Sequence, residues 1–127
     1  MSRRIAIVGT REPTPQQCID LVVLVAMLPK DTVIVSGAAR GVDRLAADAA
    51  RKYGLKLVEY PADWNRLGKS AGFQRNQTIV DDCDEVHAFP GAGNGTWDTV
   101  RRAKKAGKTV TIHETPPQLP TNRSDER

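Results

Sequence analysis

Residues Phe89 to Thr99 read Phe-Pro-Gly-Ala-Gly-Asn-Gly-Thr-Trp-Asp-Thr, and their spacing carries a chemical meaning. The apolar-rich run Glu85 to Phe89 before them reads as a strand, and Trp97 to Ala106 after them reads as a helix. Gly91, Gly93, Gly95 and Thr96 therefore fall where a strand hands over to a helix N-terminus. Glycine lets the backbone come close to a ligand. A helix start offers unpaired N–H groups and the positive end of a dipole to an anion. Thr96 can cap the helix or give its hydroxyl to a phosphate oxygen. The pattern points to a phosphate cradle built from Pro90, Gly91, Gly93, Asn94, Gly95 and Thr96. The competing reading is a turn that needs glycine for its own geometry, with Thr96 only a cap.

Other side chains of the right type follow earlier apolar runs. Gly9, Thr10 and Arg11 come directly after the first one, and the planar fork of Arg11 can reach a phosphate or stack on a base. Ser36, Gly37, Ala38 and Arg40 follow the second, leading to Asp43, which can cap backbone N–H groups, touch a ribose or pair with Arg40 or Arg44. Arg75 stands beside Asn76 near the start of a later helix, a position suited to ligand contact. Asp98 lies in the first turn of the helix after the glycines, where an acid also favours the dipole. As a catalyst it would assist oxocarbenium formation or activate water. Trp64 sits in a polar loop, which points to base stacking or a partner contact. Trp97 walls the same pocket or packs on a neighbouring subunit. The basic run Arg101, Arg102, Lys104 and Lys105 reads as a solvated helix face.

The elements that must position these residues alternate along the chain. Arg4 to Gly9 is a continuous apolar run ending in glycine, as in strands buried on both faces. Thr14-Pro15-Gln16-Gln17 opens a helix with a cap, a proline at the first helical position and a glutamine three after the cap. Cys18, Leu21, Val22, Val25 and Leu28 make its apolar stripe, and Pro29 ends it. Thr32 to Val35 is the second strand, followed by a helix carrying Val42, Leu45, Ala46, Ala49 and Tyr53 and stopped by Gly54. Lys56 to Tyr60 is a third strand. A helix with Asn76, Ile79, Val80 and Cys83 on one face, and Phe73 near it, comes next. The strand and helix around the glycines follow, and Lys108 to His113 is the last strand, with Val110 and Ile112 pointing one way. Such alternation predicts an α/β fold, a doubly wound parallel sheet of about five strands with helices on both faces. Ligands bind such sheets at the carboxyl ends of the strands, where strand order reverses. The glycine- and hydroxyl-rich loops after the first, second and fourth strands should converge there. No Gly-x-Gly-x-x-Gly follows the first strand and no Gly-x-x-x-x-Gly-Lys-Ser/Thr P-loop is present, which argues against a dinucleotide dehydrogenase or P-loop NTPase.

The totals are those of one globular domain. The chain has 127 residues, 39% hydrophobic and 27% charged, enough for a real core. Residues 1–113 form the expected domain, and 114–127, with three prolines and almost no apolar residues, a poorly ordered tail. No run approaches a membrane span and no signal-peptide core opens the chain, which predicts a cytoplasmic protein without membrane association. Cys18 and Cys83 fall on apolar helix faces and read as reduced, buried thiols. His87 and His113 stand alone in their strands, so neither a metal nor a cofactor is called for. The net charge of +4 suits an anionic small ligand as well as a weak nucleic-acid contact.

Taken together, the strand followed by Gly-Thr-Arg, then Val-Ser-Gly-Ala-Ala-Arg-Gly-Val-Asp, Gly-Phe-Gln-Arg-Asn and Phe-Pro-Gly-x-x-x-Gly-Thr-Trp-Asp resemble the SLOG superfamily. This group of Rossmann-like nucleotide-binding proteins includes the Lonely Guy phosphoribohydrolases and the DNA-uptake protein DprA. The chain looks most similar to the YspA-like branch, over residues 4–113. The resemblance implies a nucleotide or nucleotide-derived ligand at the sheet edge, bound for sensing, sequestration or processing. Its phosphate would lie on Pro90 to Thr96, with Ser36, Gly37 and Arg40 lining the same mouth. Arg75 and Asp98 match the positions implicated in N-glycosidic cleavage by the phosphoribohydrolases, which makes a nucleoside monophosphate N-glycosidase the alternative. The loop here is one residue longer and Asp98-Thr99 replaces the usual acid pair, so binding carries over ahead of catalysis. A DprA-like single-stranded nucleic-acid binder is disfavoured, because six aromatics and a charge of +4 make a poor basic track. The resemblance also implies a homodimer.

Overall fold

The computed structural model describes residues 2–114. Apart from Glu114, the tail expected over 114–127 lies outside the described residues. Strands β1 (Arg4–Gly9), β2 (Val33–Ser36), β3 (Lys56–Glu59), β4 (Glu85–Phe89) and β5 (Thr109–Ile112) form one sheet in the order β3-β2-β1-β4-β5, and every pair is parallel. The chain belongs to the expected α/β, Rossmann-like class. The order reverses between β1 and β4, where Ala6 pairs with Val86 and Gly9 with Phe89. Crossovers lead away from that line in opposite directions, so a crevice opens above it.

The period of two along β1 divides the core between the two faces. Ile5 and Ile7 pack with Leu21 and Val25 of α1 (Pro15–Met27) and Val42, Ala46 and Ala50 of α2 (Val42–Lys52). Ala6 and Val8 face the other way, with Ile79 and Val80 of α4 (Ala71–Asp81) and Val100 and Ala103 of α5 (Gly95–Lys105). Between β3 and α4 run the short α3 (Trp64–Leu67) and a 3-10 turn over Gly68–Ser70. No helix among the described residues is long and apolar enough to cross a membrane.

Local chemistry explains the boundaries. Thr14 and Gln17 form the reciprocal capping box at α1: the Gln17 N–H donates to Thr14 Oγ1 at 3.1 Å, and the Thr14 N–H donates to Gln17 Oε1 at 3.0 Å. α5 starts two residues earlier than its apolar pattern indicates, because Gly95 and Thr96 adopt helical geometry. The N-cap is thus Asn94, whose side chain makes no capping bond, and Thr96 lies inside the first turn instead of capping it. Phe73, placed near the buried face of its helix by periodicity, is exposed. Cys83 is buried and Cys18 half-buried, both as free thiols. His87 and His113 are not alone: His87 Nδ1 lies 3.0 Å from His113 Nε2, and its Nε2 lies 3.0 Å from Glu85 Oε2. Among the described residues no group of three or more His, Cys, Asp or Glu side chains could hold a metal ion.

Gly9 marks the tightest approach in the sheet. A Cβ there would stand 2.5 Å from the Phe89 carbonyl oxygen and 2.7 Å from the Val42 methyls. Gly9→Ala is therefore expected to lower the unfolding free energy by about 1–3 kcal/mol, as overpacking does. Gly93→Ala, with no atom within 4 Å of its added Cβ, should stay within about 0.5 kcal/mol of the parent. Urea denaturation of the two variants measures the contrast.

Candidate ligand-binding site

Three loops meet at the crevice because the backbone of Thr10 ties them together. Its N–H donates to the Phe89 carbonyl at 2.9 Å, and its carbonyl accepts the Val42 N–H at 3.0 Å. The end of β1 is thereby fixed to the end of β4 and the start of α2. Gly41 adopts φ +78°, and a Cβ there would lie 2.5 Å from the Arg11 backbone. Ala38, in the same loop, is a non-glycine residue at φ 61°, a conformation that costs free energy and is found where surroundings impose it.

Above these loops lies an open cavity of about 660 Å³. Gly9, Thr10 and Arg11 line it from the first loop, and Arg40 and Asp43 from the second. Gly91, Gly93, Asn94, Gly95 and Thr96 line it from the glycine loop, and Arg75 and Asn76 from α4. The expected convergence of the three loops is thus present. Ser36, Gly37, Ala38, Pro90 and Asp98 are not on the wall. Ser36 is fully buried and donates its hydroxyl to the Asp43 carbonyl at 3.2 Å, bracing the start of α2. Gly37 lies beneath the wall, where a Cβ would stand 2.7 Å from Arg75 Nη1 and 2.8 Å from Asp43 Oδ2. The Pro90 carbonyl accepts from Gln17 Nε2 at 2.8 Å.

Asp98 is buried and linked to the cavity through one amide. Its Oδ2 accepts from Arg102 Nε at 2.8 Å and from Asn76 Nδ2 at 3.1 Å, and Arg101 Nη2 lies 3.5 Å from its Oδ1. Arg102, read from sequence as part of a solvated face, instead reaches back to Asp98 and to Gln77 Oε1 at 2.9 Å. Asn76 Oδ1 accepts from Arg75 Nε at 3.0 Å, and Arg75 Nη1 donates to the Gly37 carbonyl at 2.6 Å. The amide of Asn76 is oriented by a carboxylate on one side and a guanidinium on the other. Arg75 is thereby held rigidly over the cavity floor. Burial pulls its pKa down, nearby Asp43 raises it and nearby Arg11 lowers it; it remains a cation.

Two buried polar side chains on the wall lack the pairing that burial normally demands. The Thr96 hydroxyl, in a residue 8% exposed, makes no hydrogen bond among the described residues. Asp43 is 6% exposed, and its carboxylate accepts one backbone N–H, from Ala39 to Oδ2 at 3.2 Å. Burial lifts the Asp43 pKa from 3.8 to about 6, opposed by the Ala39 N–H, Arg75 and Arg11. Arg11, Arg40, Lys69 and Arg75 face the cavity against Glu12 and Asp43, so its field favours an anion. The first-turn N–H groups of α5 add to that field at Gly95 and Thr96.

Glu12, Lys69, Gly72 and Phe73 also line the cavity; Gly72 and Phe73 open the Gly-Phe-Gln-Arg-Asn motif, in which only Arg75 and Asn76 stand out as candidate ligand contacts. Phe73 falls one residue after a glycine on a helix, and periodicity alone cannot separate a mouth position from a core one. Trp64, marked by its polar surroundings, does reach the cavity. Trp97 instead packs, half-buried, against the core between the sheet and α4 and α5.

The sheet, with this cavity at its switch point, is that of a Rossmann-like α/β domain. The chain belongs to the YspA, cpYpsA-related SLOG family, whose model matches residues 3–67. Its fold is similar to DNA processing protein A (DprA) from Streptococcus pneumoniae, with a TM-score of 0.74 and 26% identity over 87% of this chain and 50% of that one. It is also similar to DNA processing protein A from Helicobacter pylori, described by its single-stranded DNA binding mode, with a TM-score of 0.71 and 24% identity over 87% of this chain and 64% of that one. A third similar structure is the molybdenum cofactor binding protein from Rippkaea orientalis, with a TM-score of 0.71 and 25% identity over 91% of this chain and 78% of that one. The chain thus spans only part of the length of both DNA processing proteins. No curated protein matches its sequence.

The carboxylate of Asp43 makes the protein's stability depend on pH in a defined direction. Its folded pKa of about 6 exceeds the ordinary 3.8, so the folded state binds more protons between those values. The cost of burying the charge therefore grows as pH rises from about 4 to about 6 and is fully present above. Asp43→Asn keeps an acceptor for the Ala39 N–H and removes the charge. It is expected to raise the unfolding free energy by up to about 3 kcal/mol at pH 8, with the gain vanishing near pH 4. Urea midpoints at the two pH values test this.

Proposed function

We propose that this chain binds a nucleotide or nucleotide-derived small molecule at the carboxyl ends of the strands. The phosphate lies on the Gly91 to Thr96 loop and the α5 N-terminus, and the sugar lies toward Asp43 and Arg75. The observation that carries the reading is the pairing of Gly93 and Gly95 with the orphaned Thr96 hydroxyl. Neither glycine has a positive φ, and neither would bring a Cβ within 4 Å of any protein atom. Nothing in the fold excludes a side chain there, and both glycines line the cavity. Thr96, buried with its hydroxyl unused, is the donor such a ligand would satisfy.

Titration calorimetry with AMP and with ribose 5-phosphate tests the proposal. Both are expected to bind the parent protein, and Thr96→Val is expected to weaken both about 10-fold, the loss of one hydrogen bond to a charged group. Thermal stability should hold or rise, because the variant also removes an unpaired buried hydroxyl. Failure of both compounds to bind the parent protein refutes the proposal. A single-stranded oligonucleotide belongs in the same series, given the similarity to the DNA processing proteins. Tighter binding of the oligonucleotide, lost steeply with salt, would favour a nucleic-acid ligand instead.

A second reading, N-glycosidase action on a nucleoside monophosphate, is favoured by Asp43. A cavity carboxyl poised near neutrality beside a fixed arginine suits general acid–base chemistry. In this reading Arg75 faces the ribose, and Asp98 acts through Asn76. Time-resolved proton NMR of AMP with the protein distinguishes the two. Free adenine and ribose 5-phosphate appearing with the parent, and absent with Asp43→Asn, is the hydrolase outcome; an unchanged AMP spectrum is the binding outcome.

A further inference from the structure

Five large hydrophobic side chains are exposed among the described residues, and the only two aromatic ones both stand at the cavity mouth: Trp64, 51% exposed, and Phe73, 52% exposed. Two exposed large aromatic residues are costly in water, and their placement on the lining of one cavity calls for an occupant. Neither ring stacks on another aromatic ring of the protein among the described residues. Each residue keeps about half of its surface exposed.

Local structure holds the Trp64 ring in place. Trp64 opens α3, whose N-cap Asp63 accepts the Arg66 N–H at 3.2 Å. Gly68, at φ +58°, then folds the chain back so that α4 begins under the indole. The edge of the ring lies over Gly72, where a Cβ would stand 3.2 Å from its Cη2. A glycine at that position therefore lets the ring lie close to the α4 backbone, and Phe73 follows on the same helix. Lys69 lies in the turn between them and also faces the cavity.

We propose that Trp64 and Phe73 form a nucleobase subsite, so that the ligand of this cavity carries an aromatic base as well as a phosphate. The inference rests on the phosphate-loop reading above and adds the opposite end of the ligand. Stacking accepts any base, because every base has a π-face; the subsite selects nucleotides over sugar phosphates and sets no strong preference among bases. Glycines of the phosphate loop and the two aromatic residues line the same cavity, which gives the phosphate and the base of a nucleotide each a matching surface.

The experiment compares AMP with ribose 5-phosphate on the parent, Trp64→Ala and Phe73→Ala proteins by titration calorimetry. The parent is expected to bind AMP about 10-fold or more tighter than ribose 5-phosphate, within the range of a base–aromatic stack. Each variant should lose that advantage while binding ribose 5-phosphate as the parent does, and Trp64→Phe should recover part of it. Unaltered ribose 5-phosphate binding also shows that the variants are folded. Equal affinity of the parent for the two compounds, or AMP binding indifferent to both substitutions, overturns the base subsite and leaves the phosphate reading standing. Failure of both compounds to bind the parent overturns the phosphate reading and the subsite with it. Sedimentation of the parent and Trp64→Ala proteins adds an independent check. Self-association abolished by the substitution would assign the rings to a second copy of the chain and overturn the proposal.

Discussion

The contact on which this structure depends is the approach of β1 to β4 at their carboxyl ends. Gly9 lies against the Phe89 carbonyl without room for a methyl group, and the next residue bonds that carbonyl through its N–H. The carbonyl of the same residue then receives the first N–H of α2. The backbone of one residue thereby fixes the distance between the glycine loop and the second loop, which belong to different halves of the chain. Arg11, Asp43 and Thr96 share a cavity because of that spacing. A looser junction would leave the same residues on the same elements without a common target.

The second organising feature is charge held at a cost. Arg75, Asp43 and Asp98 all lie in or just behind the wall, and they differ in how far the protein compensates their charge. Arg75 is bonded to a carbonyl and an amide, with no ion pair to Asp43 within salt-bridge distance among the described residues. Asp98 is more fully compensated, by two arginines and Asn76. The contrast divides the acids by role. Asp98 is neutralised from its own helix and orients Asn76, which in turn orients Arg75. Asp43 stays undercompensated and faces the cavity. Buried groups with shifted ionisation at a cleft are the usual mark of a site where ligand or chemistry supplies the missing partner.

Most of the fold was legible in the sequence because its signals are local. The Thr14 capping box, the alternation within β1 and the apolar stripe of α2 each depend on residues a few positions apart. The strand–helix rhythm leaves few topologies, and the three convergent loops follow from it. The finer site was less legible. Asp98 reads as a ligand-facing acid because its position after Gly-Thr-Trp says nothing of Arg102 folding back onto it. Thr96 reads equally as cap or ligand donor until α5 is seen to begin at Gly95. Ser36 reads as a loop hydroxyl, although its side chain is consumed by the α2 backbone. Phe73 was hidden because a helix pattern does not record which neighbour is missing. In each case the deciding interaction joins residues distant in sequence or turns on a boundary shifted by two positions.

The central position of β1 has a consequence for the order of events during folding. The first strand of the chain pairs with β2 on one side, but its other edge is completed only by residues 85–89. Until that segment arrives, β1 presents an open parallel edge and Thr10 lacks the carbonyl that anchors it. The glycine loop comes directly after. The cavity therefore comes into being late, when nearly the whole domain is available to close it. Sequence-distant pairing of this kind slows folding, and a growing chain must shield an unpaired edge for most of its synthesis.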